Sequence, residues 1–322
     1  MSLEDAAKEV DAAFTRENLK GMSFEASYAG ATSFLRRRYS KDLTGVDLTV
    51  TGIPFDCATT NRPGTRFGPR AIREASALQV YDPPYGWGVN PMTDIAMTDY
   101  GDLALDYGKV ADAPARINEH VRGILDSGAA VLTLGGDHSI SHPVIRAHAE
   151  KWGPVSLVQF DAHSDTWADD DMSRIDHGTM FYKAVKQGVV APERSVQLGI
   201  RTVNPDTLGV NILDAPSIHE SRAADIAAQV KRIIGDNPVY LSFDIDALDP
   251  AFAPGTGTPV SGGLSSAQAL AILRALAGIN IVGMDVVEVS PPYDTTGATA
   301  IAAAHVAMEL LCLWTFRHRD QG

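Results

Sequence analysis

Three apolar, β-branched runs in this chain each end in acidic or histidine side chains, and nothing else in the sequence restricts the possible folds so strongly. The runs at 131–134, 155–160 and 239–243 lead into Gly135-Gly-Asp-His138, Asp161-Ala-His-Ser-Asp165 and Asp244-Ile-Asp246. Short, mostly apolar runs bounded by turn residues read as strands buried on both faces. Further runs at 47–53, 195–200 and 279–284 alternate with helical patterns at 114–127, 223–234 and 265–277, where Pro114 suits a first helical turn and Gly128 a helix stop. Alternating strand and helix predicts an α/β fold with a mainly parallel sheet covered on both faces. Sites in such sheets lie beyond the carboxyl ends of the strands, where every candidate residue falls.

Spacing supplies the chemistry. Side chains alternate along an extended chain, so Asp161 and His163 project together, as do Asp244 and Asp246. With His138 and Asp165 they form a candidate set of six metal ligands. Carboxylates and imidazoles without thiolate suit Mn²⁺, Fe²⁺ or Zn²⁺, and mixed nitrogen and oxygen ligation favours manganese over calcium. Four aspartates facing two divalent ions and a hydroxide leave a slightly negative site, which prefers a cationic electrophile such as a guanidinium carbon.

Bulk properties exclude several classes. At 322 residues and 45% hydrophobic content the chain can bury a large core, and one domain is expected because no Pro/Gly-rich linker divides it. A net charge of −13 argues against nucleic acid or an anionic membrane as partner. Cys57 and Cys312 read as reduced thiols, and the start lacks the pattern of a signal peptide, so a cytoplasmic setting is expected. Residues 298–314 are apolar enough to suggest a membrane span, but His305 and Glu309 interrupt them and a buried C-terminal helix is the simpler account. Residues 1–40, with Phe24, Tyr28, Phe34 and the run Arg36 to Arg38, read as an extension packing on the domain or on a neighbouring subunit.

Gly135-Gly-Asp-His138, Asp161-Ala-His-Ser-Asp165 and Ser242-Phe-Asp-Ile-Asp-Ala-Leu-Asp-Pro250 together resemble the ureohydrolase family of arginases, agmatinases and guanidinobutyrases. The resemblance implies a three-layer α/β/α sandwich around a parallel eight-stranded sheet, two Mn²⁺ per subunit, release of urea from a small guanidino substrate, and a homo-trimer or homo-hexamer. By position, His138, Asp161, Asp165 and Asp244 would hold one ion and Asp161, His163, Asp244 and Asp246 the other, with Asp161 and Asp244 bridging. Glu288, in Met284-Asp-Val-Val-Glu288, corresponds to the glutamate that pairs with the guanidinium, with Asp285 the weaker candidate; His177 corresponds to the proton-shuttling histidine. Asp137 points away from His138 on an extended backbone and reads as a supporting group.

Arginase-like members carry Ser-Gly-Asn-x-His-Gly where this chain reads Ser173-Arg-Ile-Asp-His-Gly178, a departure that disfavours arginine. The local sequence is similar to agmatinases, and the ammonium end of agmatine calls for acceptors, with Asp169 to Asp171 in a suitable loop. A guanidino acid such as 4-guanidinobutyrate would instead need Arg174 or an arginine of the 62–70 loop facing inward. Two other classes compete. A single-zinc amide hydrolase of the deacetylase type would not keep two ligand sets, and a noncatalytic metal-binding regulatory protein would not keep His177 and Glu288.

Overall fold

The computed structural model describes residues 12–22 and 26–319. Its strands are β1 (Arg38–Tyr39), β2 (Leu48–Ile53), β3 (Met97–Asp102), β4 (Ala130–Gly135), β5 (Ser156–Phe160), β6 (Val196–Ile200), β7 (Asn211–Asp214), β8 (Val239–Asp244) and β9 (Ile281–Val287). They form one sheet in the order β1-β3-β2-β4-β9-β8-β5-β6-β7, and every neighbouring pair is parallel. The sheet thus has nine strands among the described residues where eight were expected; β1, only two residues long, adds onto the edge of β3. The six strands read from apolar runs are all present.

The longer helices are α1 (Gly68–Ser76), α2 (Ala113–Asp126), α3 (Ser141–Trp152), α4 (Met180–Lys186), α5 (Ala223–Ile234), α6 (Ser266–Ala275) and α7 (Ala298–His318). Local chemistry sets their starts. Pro114 lies in the first turn of α2, and Ser265 and Gln268 form a reciprocal capping box at α6. Alternation along the strands then divides the core in two. Leu132, Leu134, Phe160 and Phe243 pack with α1, α5, α6 and α7 on one face, while Val131, Leu157 and Tyr240 pack with α2, α3 and α4 on the other. That gives the three layers. Helix α7 is long and apolar enough to cross a membrane, but most of it is buried against α1, α6 and β9.

Strand β3 escaped the sequence reading because Met97-Thr-Asp-Tyr-Gly-Asp102 is polar. Its Asp99 is fully buried and receives Arg73 of α1 through two hydrogen bonds of 2.7 and 3.0 Å, along with the Phe34 N–H at 2.7 Å. Phe34 and Leu35 enter the core, and Arg37 is fully buried, so the basic run there is no surface feature. Phe24 and residues 1–11 lie outside the described residues. We expect Arg73→Met to destabilise the protein by about 3–5 kcal/mol in chemical denaturation, since it strands the Asp99 carboxylate without its cation. A loss within about 0.5 kcal/mol, as at an ordinary surface position, would show that this pair does not tie α1 to the sheet.

Candidate metal centre and cleft

Strands β4, β9, β8 and β5 are consecutive in the sheet, so the side chains at their carboxyl ends stand about 4.8 Å apart from strand to strand. His138 follows β4, Asp161 follows β5, Asp244 ends β8 and Glu288 follows β9. The turn out of β4 is possible only with glycine at 136, where a Cβ would fall 1.8 Å from the Phe55 carbonyl oxygen. Asp137 faces away from the ligands, as expected of a supporting group. Its carboxylate accepts the Ser139 and Ala58 N–H groups and ties this turn to the 54–60 loop.

His138 Nδ1 lies 3.1, 3.0 and 3.1 Å from carboxylate oxygens of Asp161, Asp165 and Asp244, yet none of them stands where a ring N–H would point. The other nitrogen explains this. Nε2 is 2.8 Å from Ser242 Oγ, and the Ser242 hydroxyl donates to Asp285 Oδ1 at 2.7 Å. A hydroxyl whose proton is committed to Asp285 accepts from Nε2–H, which leaves Nδ1 facing three carboxylates that raise its affinity for a positive charge, proton or metal ion. A divalent cation would serve all four groups at once. Nitrogen and oxygen atoms this close together could share one divalent ion, and mixed His/Asp donors suit Mn²⁺, Fe²⁺ or Zn²⁺. In the second grouping His163 Nδ1 lies 3.0 Å from Asp246 Oδ2 and 3.5 Å from Asp161 Oδ1. Asp161 therefore turns one oxygen to each group, while Asp244 turns Oδ2 to His138 and uses Oδ1 to accept the Asp246 N–H at 2.8 Å.

Beneath the ligands runs a row of polar residues in register: Thr133, Asp285, Ser242, Gln159 and Gln197, on β4, β9, β8, β5 and β6. All five are fully buried. Gln197 Nε2 donates to Gln159 Oε1 at 2.6 Å, and Gln159 Nε2 donates to Asp161 Oδ2 at 2.7 Å. Asp285 also accepts the hydroxyls of Tyr240 and Ser141 at 2.6 and 2.7 Å, so it serves the centre from below and does not face the cleft. The two glutamines and Ser242 were not singled out from sequence. Their signal was there: Gln159 and Ser242 stand two positions before Asp161 and Asp244, and Gln197 sits inside the apolar run 195–200.

A cleft of ≈ 350 Å³ opens above the ligands, bounded by Asp165, Asp244, His177, Thr60, Trp167 and Asp176 among others. Glu288 sits behind His177, held in a left-handed backbone conformation (φ 64°) that a non-glycine residue seldom adopts. Its N–H donates to the Gly136 carbonyl at 2.9 Å and its Oε1 accepts the His138 N–H at 2.8 Å. His177 Nδ1 is 3.0 Å from the same Oε1 and its Nε2 is 2.9 Å from Thr60 Oγ1. Glu288 Oε2 is buried without a partner. Asp169 is a correction: it pairs with Lys183 Nζ at 3.2 Å, accepts the Asp171 N–H, and is absent from the cleft wall. Arg66 is held by Asp56 and lies over the Tyr107 ring, and Arg174 is largely exposed, so neither enters the cleft.

Residues 46–312 match the Arginase family. The chain belongs to the arginase family. It is a ureohydrolase, and its relatives agree. It is 55% identical over 304 residues to an agmatinase of Chromobacterium violaceum, covering 94% of each chain. The crystal structure of a hypothetical agmatinase from Burkholderia thailandensis superposes with a TM-score of 0.94 at 56% identity, over 97% of this chain and 99% of that one. Proclavaminate amidino hydrolase from Streptomyces clavuligerus gives 0.85 at 39%, over 91% and 100%.

Charge in the ureohydrolase centre is crowded. Burial, then the charge of Asp161, pushes Asp165 up to about 7, and burial with Asp246 and Asp161 raises Asp244. Burial works against charge on His163, but Asp161 and Asp246 carry it to about 12. Protons and divalent cations therefore compete for one set of atoms. Mn²⁺ uptake should release protons, and apparent affinity should rise with pH through about 7, where Asp165 gives up its proton. Titration calorimetry in buffers of different ionisation heat reads this directly, and an affinity constant between pH 6 and 8 would refute it. Ser242→Ala should weaken Mn²⁺ binding about 10–100-fold in a protein of unchanged circular dichroism; undiminished affinity would remove Ser242 from any part in orienting His138.

Proposed function

We propose that this ureohydrolase converts agmatine to putrescine and urea with two Mn²⁺ held by His138, Asp161, Asp165 and Asp244 on one side and by Asp161, His163, Asp244 and Asp246 on the other. The observation that carries the choice of substrate is the cleft wall, where Asp165, Asp176 and Asp244 occur with no lysine or arginine among the described residues. A carboxylate-tailed guanidino acid would find no lysine or arginine of the wall to pair with its tail. An oligomer of three or six single-domain subunits in the cytoplasm is the setting suggested by family resemblance.

When bound, such an ion pair activates water near neutral pH and offsets charge developing on the substrate. The protein's own groups supply orientation and the proton. Glu288 Oε2, buried and without a partner, is suited to accept guanidinium N–H groups, and the hydrogen bond from the His138 N–H to Oε1 holds that carboxylate in place. Burial works against charge on His177, but Glu288, with smaller contributions from Asp165 and Asp137, raises it to about 9. His177 is then protonated at neutral pH and can donate to the departing amine, with Thr60 fixing its ring. The acidic surroundings favour approach of a cation and retention of its positive form.

The test is urea release by Mn²⁺-reconstituted protein from agmatine, 4-guanidinobutyrate and arginine at equal concentration. Agmatine should dominate by at least tenfold, and Asp244→Asn should remove activity and bound metal together. Dominant release from 4-guanidinobutyrate, or an active Asp244→Asn enzyme, would overturn the proposal.

A further inference from the structure

We infer that Asp176, with the exposed ring of Trp167 beside it, is the subsite that recognises the ammonium end of the substrate and sets the preference for a cationic tail. The inference rests on agmatine being the substrate and deepens that reading. No residue of the metal centre is involved.

The carboxylates of the cleft fall into two groups. Asp165 and Asp244 are committed to the ligand cluster around His138 Nδ1. Asp176 lies outside that cluster, one residue before His177, yet it borders the same cleft. Its two oxygens have separate tasks. Oδ1 accepts the Gly178 N–H at 2.8 Å, a bond that folds the loop ahead of α4. Among the described residues Oδ2 has only Arg174, at 3.5 Å, and that side chain is 62% exposed. A contact of that length to a solvated cation is worth little and is readily exchanged. Asp176 itself is 16% exposed, so an ammonium group reaching it is partly withdrawn from water, where its charge counts for more.

Trp167 supplies the second feature. It borders the same cleft and is 48% exposed although it is large and apolar. Its ring edge and the Asp176 carboxylate both flank Gly178, which brings an aromatic surface and an anion to one corner. A carboxylate beside an aromatic face receives an alkylammonium group well: the ring covers the methylenes and attracts the cation while the carboxylate accepts its N–H bonds. Of the loop's other acidic residues, Asp170 is exposed and does not border the cleft, and two are occupied otherwise. Asp169 pairs with Lys183, and Asp171 accepts the Ser173 N–H and hydroxyl.

The test compares agmatine with n-butylguanidine, which has the same guanidinium and chain length but no ammonium group. In the Mn²⁺-loaded wild-type enzyme kcat/KM should favour agmatine by tenfold or more. Asp176→Asn keeps the Oδ1 acceptor for Gly178. It should raise KM for agmatine at least tenfold with kcat changed less than threefold, and leave n-butylguanidine within twofold. Asp176→Glu should recover part of the agmatine KM, and Trp167→Leu should raise it about threefold. Equal losses on both substrates, or none on either, would overturn the subsite. Should Asp176→Asn not fold, Trp167→Leu and the wild-type substrate ratio decide: a wild-type enzyme indifferent to the ammonium group refutes the inference. No urea from agmatine in the wild type would instead sink the substrate assignment itself.

Discussion

The chemistry of this enzyme rests on one buried carboxylate that never reaches the cleft. Asp285 sits in the middle of β9 with three hydroxyl donors around it, from Tyr240, Ser242 and Ser141. An anion this deep is tolerable only because its lone pairs are satisfied. The consequence travels outward. Because Ser242 spends its proton on Asp285, it accepts from His138 Nε2, and the opposite nitrogen faces Asp161, Asp165 and Asp244. Gln197 and Gln159 do the equivalent for Asp161 from the other side. Preorganisation of this kind is what sub-ångström placement of ligands requires.

A second linkage joins the ligands to the acid–base pair. Glu288 and the turn before His138 bond each other twice, through the Gly136 carbonyl and the His138 N–H. Glu288 and His138, the first histidine of the candidate metal centre, are therefore parts of one rigid unit, and His177 leans on the same carboxylate. The strain of the Glu288 backbone, with φ at 64°, is held by those two bonds.

Much of this was legible in the sequence because apolar runs mark the strands whose ends carry the ligands. Alternation along a strand predicts that residues at i and i+2 share a face, but the strands end at Phe160 and Asp244. The turn after β5 and the 3-10 turn Ile245–Ala247, not strand periodicity, therefore place Asp161, His163 and Asp246. What escaped notice was polar for reasons only the tertiary structure supplies. Strand β3 carries Asp99 because Arg73 arrives from α1, and β7 is a four-residue edge strand with little apolar signal. The glutamines of β5 and β6 sat in plain view as misfits in apolar strands. Asp169 was read as facing substrate because its loop was right, but which of several aspartates turns inward depends on Lys183, a partner fourteen residues away on α4.

The row of four central strands has a bearing on how the protein comes into being. Residues 138, 161, 244 and 288 meet on neighbours in space, yet β8 and β9, between β4 and β5 in the sheet, are the last strands in the chain. During synthesis the first half of the molecule cannot close the gap between its own ligands, because the wedge that completes it has not yet left the ribosome. The full set of residues that would hold a metal is therefore assembled only once nearly the whole polypeptide is available.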